Sequence, residues 1–445
     1  MIVIITLAIT ITFSVFFEIF RKKHSRADLY TFFIIFLYLM YIIPIFVWVV
    51  DPNYDQWFRY NIAMDEEVVS YASFVILLVV LLSAIGFLFG NRLKTSKRLP
   101  YLVLDPHRMS FFVSIYLSIY FSIFLITIVL SGGPVQFIQL GLASRGGGSY
   151  LGIGGYLRYF LVSAEIFLPF VLVQTFYSNR FHFFIFFKFI IFFLAVLVVA
   201  ISTGSRAAII YPFMIMMFFL INATKHIRLF IPALAALIFF GAVLSVNYIR
   251  ILYYGNPQPV HGVMSSIDIL ISDIKFMFSY FKHYIITIYT STFQGWVYEF
   301  PRLGLDVFRA IISAIPGVGK NDVDYLWLTS MPAQINKEYL GGLGYVPPGW
   351  VAYSLMSGGV PGLILYVFFA FTVGGIINRW IQGVFIYSRP IMSANMTLVF
   401  YVWYRIFFAQ DPWQVVLANA GIYLIFFLWA LVFLIPTKRQ ALDRY

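Results

Sequence analysis

Apolar residues along this chain of 445 residues occur in long runs that charged residues seldom interrupt. A helix needs about 20 predominantly apolar residues to cross the hydrocarbon core of a membrane. Runs suited to that task are Ile2–Phe17, Leu29–Val50, Val68–Gly90, Met109–Ser131, Tyr159–Ser178, Phe183–Ile201, Ala207–Ala223, Leu229–Val246, Val351–Ile377, Ile391–Phe408 and Trp413–Leu434. Strands of an outer-membrane barrel would instead alternate apolar and polar residues. The pattern therefore predicts an all-α, polytopic integral membrane protein with about 11 transmembrane helices.

Lys and Arg residues between the runs orient the chain, because cytoplasmic loops carry an excess of both. Basic clusters follow the first run at Arg21–Lys23 and the third at Lys94–Arg98, and the tail after the last run contains Lys438 and Arg439. The first run has no basic segment before it, so we interpret it as an anchor rather than a cleaved signal. We predict an outside N-terminus and a cytoplasmic C-terminus.

The predicted runs divide the chain into three parts. Residues 1–246 contain helices 1–8 with short loops, residues 247–349 form a large outside loop, and residues 350–445 contain helices 9–11 and the tail. Loops this long are usually functional. The loop is expected to be partly helical, at the membrane surface or against the bundle, because polar residues recur at helical spacing. They are Asp268, Ser272, Lys275, Ser279 and Lys282.

Composition agrees with the membrane assignment and removes other classes. Hydrophobic residues make up 62% of the chain and charged residues 11%, whereas soluble domains have roughly 45–50% and about 25%. This excludes a soluble enzyme, a disordered chain and a nucleic-acid binder, despite a net charge of +12. The absence of cysteine excludes disulfides, thiolate metal sites and a cysteine nucleophile.

Arginines on the predicted outside are the leading candidates for chemistry. Arg206 opens the seventh run, Arg250 follows the eighth, and Arg405 lies within the tenth. A charge inside a membrane helix is costly, so its retention points to a cavity and an anionic partner. The planar guanidinium suits phosphate or pyrophosphate. Further candidates are Arg145, Arg158, Arg302 and Arg309, and for Arg158 and Arg302 extension to the interface is an equal alternative.

Other outside residues provide acids, bases and aromatic faces. Asp324, two residues after Asp322, is a candidate general base, and a metal ligand is the less favoured reading. His261 is a second candidate base, and Trp350 offers a ring for stacking on sugars or for packing at the lipid interface. Glu165 is an acid within the fifth run. No residue pattern calls for a cofactor.

Several segments in order resemble the Wzy-type polymerases of O-antigen and related oligosaccharide repeat units. The resemblance rests on Thr203–Ile210 at the start of a run, on Arg250 after the next run, and on Arg309 before Ile315–Pro316. It continues through Tyr345–Trp350 and the Ser357–Gly362 break to Arg405. It covers roughly residues 145–411, while the first four runs resemble only a membrane protein.

The resemblance implies a glycosyltransferase of the bacterial inner membrane with its active site facing the periplasm. Such enzymes move a growing chain from undecaprenyl pyrophosphate onto the non-reducing end of a lipid-linked repeat unit, beside a chain-length regulator protein. Arg206, Arg250 and Arg405 would act on the leaving group, with Arg145, Arg302 and Arg309 contacting substrate. Pyrophosphate is a good leaving group, so neither metal nor cofactor is required.

Rival functions stay open from the sequence. Related O-antigen ligases have a His near the end of the large loop, where this chain has Tyr345 and two prolines, which favours a polymerase. A flippase for the same lipid-linked sugar would need a central charged path, and the large loop argues against it. Another lipid-phosphate-sugar glycosyltransferase would use acids of the first outside loop, such as Asp51, Asp55 and Glu67.

Overall fold

The computed structural model of the protein describes a chain built from helices. It describes residues 1–21, 28–50, 64–93, 106–145, 153–162, 164–177, 183–202, 206–223, 282, 284–292, 349–356, 358–384, 389–404, 424–425 and 427–430. None of these residues is in a strand. The predicted all-α class is therefore confirmed for the described part of the chain.

Two compact units divide the chain. Unit 1 comprises Met1–Lys97, Gly262–Trp380 and Val402–Val416, and unit 2 comprises Arg98–His261, Ile381–Tyr401 and Leu417–Tyr445. Both units therefore combine segments from the two halves of the chain.

Unit 1 contains the N-terminal helices and three helices from later in the chain. Its early helices are α1 (Ile2–Phe20), α2 (Leu29–Leu37), α3 (Ile43–Val50) and α4 (Glu66–Arg92). A single π-helical turn, Tyr38–Ile42, joins α2 to α3. Its later helices are α11 (residues 284–292), α12 (Trp350–Met356) and most of α13 (Gly359–Val384).

Unit 2 contains the middle helices and one late helix. They are α5 (Pro106–Leu130), α6 (Pro134–Arg145), α7 (Ile153–Val162), α8 (Leu168–Tyr177), α9 (Phe183–Ser202), α10 (Arg206–Ala223) and α14 (Arg389–Tyr404). A short 3₁₀ turn, Ala164–Phe167, separates α7 from α8. The fifth apolar run, predicted as one span, is thus a broken helix in the structure.

Six helical segments among the described residues are long and apolar enough to cross a membrane. They are Ile2–Phe20, Leu29–Val50, Glu66–Arg92, Arg108–Leu130, Phe183–Ser202 and Gly359–Gly383. Within the predicted spans Tyr159–Ser178 and Ala207–Ala223, the structure has the shorter apolar helices Ala164–Gln174 and Tyr211–Ala223, and the predicted span Leu229–Val246 lies outside the described residues. The protein is therefore membrane-embedded by the length and composition of its helices.

Helices α4 and α13 cross closely at small residues within unit 1. A methyl group on Gly86 would come within 2.6 Å of the Phe368 carbonyl oxygen, and one on Gly375 within 2.9 Å of the Asn91 nitrogen. Beyond the crossing, the Arg379 guanidinium donates to the Asn91 carbonyl at 2.7 Å, which satisfies an otherwise unpaired group at the end of α4. Glycine is needed here because the two backbones touch.

Helix α11 is the described part of the predicted large loop, and it is buried. Ile285, Ile286 and Ile288 are almost inaccessible, and polar Thr287 and Thr290 are equally buried. Tyr289 Oη donates to Glu67 at 2.8 Å, and Tyr71 Oη donates to Thr292 Oγ1 at 2.9 Å, which ties α11 to α4. Of the two placements expected for loop helices, packing against the bundle is the one that α11 adopts.

Candidate functional site

Unit 2 holds a buried arginine near the middle of α7. Arg158 is 7% exposed, and its Nη2 donates to the Ser202 carbonyl oxygen and, at 3.0 Å, to Ser202 Oγ. The Ser202 hydroxyl in turn donates to the Val199 carbonyl at 2.7 Å. Ser202 is the last residue of α9, so the guanidinium occupies the negative end of that helix dipole. Burial, not extension to the interface, is what the structure shows for Arg158.

Helix α6 shapes the surroundings of this guanidinium. The Phe137 ring lies 5.5 Å from Arg158 Cζ, in cation–π geometry. One turn later, Gly141 passes so close that a methyl group there would collide with both Arg158 guanidinium nitrogens and the Ser202 carbonyl. A glycine at position 141 therefore leaves the space that Arg158 fills.

Two further arginines begin or end helices at the same place. Helix α6 ends at Arg145, one turn beyond Gly141, and α10 begins at Arg206, four residues after Ser202. Gly141 touches the end of α9 and Arg158, and Arg145 and Arg206 each lie four residues along the chain from this contact. We call this region, defined by these three residues with Gly141 and Ser202, the arginine end.

The arginine end has the chemistry of an anion site. A helix N-terminus such as that of α10 presents unpaired backbone N–H groups and a partial positive charge. Guanidinium groups bind phosphate oxygens in planar, bidentate geometry. Both features favour oxyanions, of which phosphate and carboxylate fit the guanidinium fork. The arrangement is therefore compatible with a phosphate-bearing ligand at this end of unit 2.

A buried acid follows Arg158 by seven residues, just beyond the end of α7. Glu165 is 3% exposed and sits on the 3₁₀ turn between α7 and α8. Tyr401 Oη of α14 donates to its carboxylate, and the Tyr211 ring of α10 meets the Tyr401 ring edge-on at 6.2 Å. Sequence reasoning marked Glu165 only as an acid within a run. Its location in an apolar segment was the available signal, because intramembrane acids are usually functional.

Buried tyrosine hydroxyls flank this acid. Tyr116 and Tyr120 of α5 are fully buried, and neither hydroxyl has a hydrogen-bond partner among the described residues. Tyr116 stacks on Phe167, two residues after Glu165, with ring centroids 3.7 Å apart. Buried hydroxyls are normally hydrogen-bonded, so this pair marks a place where a polar ligand group fits.

Unit 1 contains a buried arginine of another kind. Arg21 Nε and Nη2 donate to Glu18 Oε1 at 2.9 and 2.6 Å, and Nη1 and Nη2 donate to the Asp28 carboxylate. Burial lowers the pKa of Arg21, but the hydrogen bonds and charges of Asp28 and Glu18 outweigh it and raise that pKa. Asp28 also caps α2, in a capping box with Thr31. This cluster holds α1 to α2.

The other predicted site residues are distributed unevenly over the structure. Trp350 is 3% exposed and packs in the aromatic core of unit 1, 6.0 Å from the Phe33 ring and 6.2 Å from the Phe371 ring. The arginine end contains the backbones of Arg145 and Arg206. The predicted residues outside the described part of the chain are Arg250, His261, Arg302, Arg309, Asp324, Tyr345 and Arg405.

Among the described residues, no group of three or more His, Cys, Asp or Glu side chains could hold a metal ion. The arginine end and the Glu165 turn are therefore the features of the described chain with the strongest potential for chemistry. Comparison with known proteins adds no relative: no family model matches the chain, and neither a characterised protein nor a solved structure matches it significantly.

Proposed function

We propose that this protein is a glycan polymerase of the bacterial inner membrane. It transfers a growing oligosaccharide from undecaprenyl pyrophosphate to the non-reducing end of a lipid-linked repeat unit, as the resemblance to Wzy-type enzymes implies. The supporting observation is the arginine end of unit 2, where Arg158 lies buried at the end of α9, and where α6 ends at Arg145 and α10 begins at Arg206, each four residues from a neighbour of Arg158.

The chemistry explains why buried arginines are suited to this reaction. The acceptor hydroxyl oxygen forms a bond to the anomeric carbon, and the bond from that carbon to the pyrophosphate oxygen breaks. The electron pair of the broken bond stays on pyrophosphate, whose negative charge grows. Fixed cations in a water-poor site stabilise such a charge without reorganising. Arg158 is fixed by Ser202 and Phe137, so it is added to Arg206 and Arg145 as a pyrophosphate contact.

The proposed topology has eleven spans, an outside N-terminus and a cytoplasmic C-terminus. The natural absence of cysteine makes a direct test simple, because each introduced cysteine is unique. Ser131→Cys, just after α5, is expected to react with an impermeant maleimide in spheroplasts, and Leu93→Cys, just after α4, only after permeabilisation. The reverse labelling pattern would overturn the orientation.

The functional test replaces arginines in a strain whose chromosomal copy is deleted. Arg158→Ala and Arg206→Ala are expected to lower polymer synthesis by about 10²–10³-fold, the effect of removing one fixed charge-stabilising donor. Glycan gels of surface polysaccharide measure the chain ladder, and immunoblots of membranes measure the amount of protein. Arg158→Lys keeps the charge without the bidentate fork and is expected to retain a short ladder.

Arg389→Ala is the matched control, because Arg389 is an exposed arginine of the same unit. It is expected to leave the ladder unchanged. Normal ladders from both Arg158→Ala and Arg206→Ala would reject the proposed site. The deletion strain also separates the rival functions: loss of a polymerase leaves single repeats attached, loss of a flippase leaves none, and loss of a ligase leaves polymer on its carrier.

A further inference from the structure

Glu165 is an acid that the interior of unit 2 keeps despite the cost of burying it. It is 3% exposed, and it lies on the 3₁₀ turn that breaks the α7–α8 segment. Transfer of an isolated carboxylate into an apolar medium costs many kcal/mol unless it is paired or hydrogen-bonded. Ionisable residues kept inside membrane helices are usually functional.

The groups around Glu165 are suited to binding a hydroxyl-bearing ligand. Tyr401 of α14 donates to the carboxylate, which orients it, and a carboxylate has about four acceptor positions in all. The buried hydroxyls of Tyr116 and Tyr120 have no hydrogen-bond partner among the described residues. A ligand with several hydroxyl groups, such as a sugar, can satisfy both the tyrosines and the acid.

Among the described residues, three elements bring titratable groups close to this turn. They are Tyr116 and Tyr120 of α5, Tyr211 of α10, and Tyr401 of α14. Phe170 of α8 and Phe192 of α9 contact Phe167 of the turn and bring no charge. Among these groups, Glu165 is the carboxylate, a side chain that can act as a general base.

Glu165 and Arg158 lie on consecutive elements of unit 2. Glu165 follows Arg158 by seven residues and lies on the 3₁₀ turn just beyond the end of α7. The phosphate would lie toward Arg158 and the acceptor hydroxyl toward Glu165.

We propose that Glu165 is the general base that takes the proton of the acceptor hydroxyl, with Tyr401 orienting its carboxylate. This inference rests on the proposed function and assigns the base that the sequence left open between Asp324 and His261. In the step, the acceptor oxygen bonds to the anomeric carbon as its proton moves to the Glu165 carboxylate. The carbon–pyrophosphate bond breaks, and its electron pair leaves with pyrophosphate toward Arg158.

The test uses membranes of the deletion strain, which accumulate the native lipid-linked repeat unit, so its sugars need not be known. Membranes containing each variant are followed for polymer bands between pH 5 and pH 8. Glu165→Gln is expected to lower the rate about 10²–10⁴-fold, the usual contribution of a general base. The wild-type rate should fall as acidification protonates the carboxylate, and the residual rate of Glu165→Gln should lack that fall.

Two further variants separate a base from a structural residue. Glu165→Asp keeps a carboxylate and should retain a pH-dependent rate at least about tenfold below wild type. Tyr401→Phe removes the orienting bond and should reduce the rate by less than Glu165→Gln. If Glu165→Gln does not accumulate in membranes, Glu165→Asp decides, because a wild-type rate from it would overturn the inference.

The outcomes distinguish this inference from the proposed function. A wild-type rate and pH profile from Glu165→Gln, together with polymer loss in Arg158→Ala, would reject Glu165 as base and leave the polymerase intact. Unchanged ladders from both variants would reject the polymerase site itself. Loss of polymer in both, with the acid dependence gone only in Glu165→Gln, supports the two proposals together.

Discussion

The two units each bury one arginine near a helix end, and they hold it in different ways. In unit 1, Arg21 lies between the carboxylates of Glu18 and Asp28, and its guanidinium also faces the Phe17, Tyr30 and Phe87 rings. In unit 2, Arg158 lies against the last carbonyl of α9, the Ser202 hydroxyl and the Phe137 ring.

The difference separates an arginine that builds the fold from one suited to bind a ligand. The partners of Arg21 carry full negative charges, so they neutralise its positive charge within the protein. The contacts of Arg158 with a helix end, a hydroxyl and a ring each involve only partial negative charge, and they hold the guanidinium in place. Burial by itself therefore does not identify a functional arginine, and the charge of its partners is the better guide.

The sharpest test of the comparison replaces the two arginines in parallel. Arg21→Ala is expected to destabilise the protein by about 3–5 kcal/mol, because it leaves buried carboxylates without their cation. Arg158→Ala should cost less stability and abolish polymer. Thermal unfolding in detergent and membrane abundance measure the first effect, and glycan gels the second. Full abundance of Arg21→Ala would contradict the structural role assigned to Arg21.

Two glycines extend the comparison to close backbone approaches. Gly141→Ala in unit 2 would place a methyl group against Arg158 and Ser202, and Gly375→Ala in unit 1 would place one against the backbone of α4. Overpacking of this kind costs about 1–3 kcal/mol. Gly141→Ala should lower polymer synthesis per molecule, whereas Gly375→Ala should lower abundance alone. Equal polymer synthesis per molecule from both would contradict the assignment of Gly141 to the site.

A third buried cation, Lys282 in the predicted outside loop, gives a smaller and pH-dependent effect. It is 1% exposed, and burial lowers its pKa to about 8. Between pH 8 and the ordinary pKa near 10.5, Lys282 binds more protons in the unfolded chain than in the folded chain. The free energy of unfolding therefore rises with pH through that window. Below pH 8 this contribution is lower and constant. Lys282→Met should raise stability at pH 7 by on the order of 1 kcal/mol and remove the rise.

Thermal unfolding of detergent-solubilised protein from pH 7 to pH 10 measures this effect. Lys275→Met, in the same predicted stripe, is the comparison variant. An unchanged pH dependence in Lys282→Met would show that another group produces it. Polymer synthesis should persist in Lys282→Met, because Lys282 is assigned no part in the reaction.

Helix positions followed from the sequence because a membrane leaves few choices. Every backbone N–H and C=O in hydrocarbon must be satisfied within the segment, so long apolar runs must be helical. The runs Ile2–Phe17 and Phe183–Ile201 accordingly match α1 and α9 within a few residues. The same rule does not locate breaks within a run. Neighbouring helices can satisfy the backbone N–H and C=O groups that a break leaves unpaired, so a break needs no change in the apolar pattern. The break at Ser357–Gly362 could be predicted from its glycines and proline, whereas the turn at Ala164–Phe167 needed the structure.

The candidate site, like the helices, was determined in part by the sequence and in part by the tertiary structure. The sequence by itself determined the helical class, the membrane environment and the short list of arginines worth attention, because charges are sparse in so apolar a chain. Only the tertiary structure decided that Arg158 is buried and that Glu165 meets Tyr401, since Ser202, Phe137, Gly141 and Tyr401 lie far away in sequence. Hydropathy is a local property of each segment, whereas the partners of a buried charge depend on how separate segments pack.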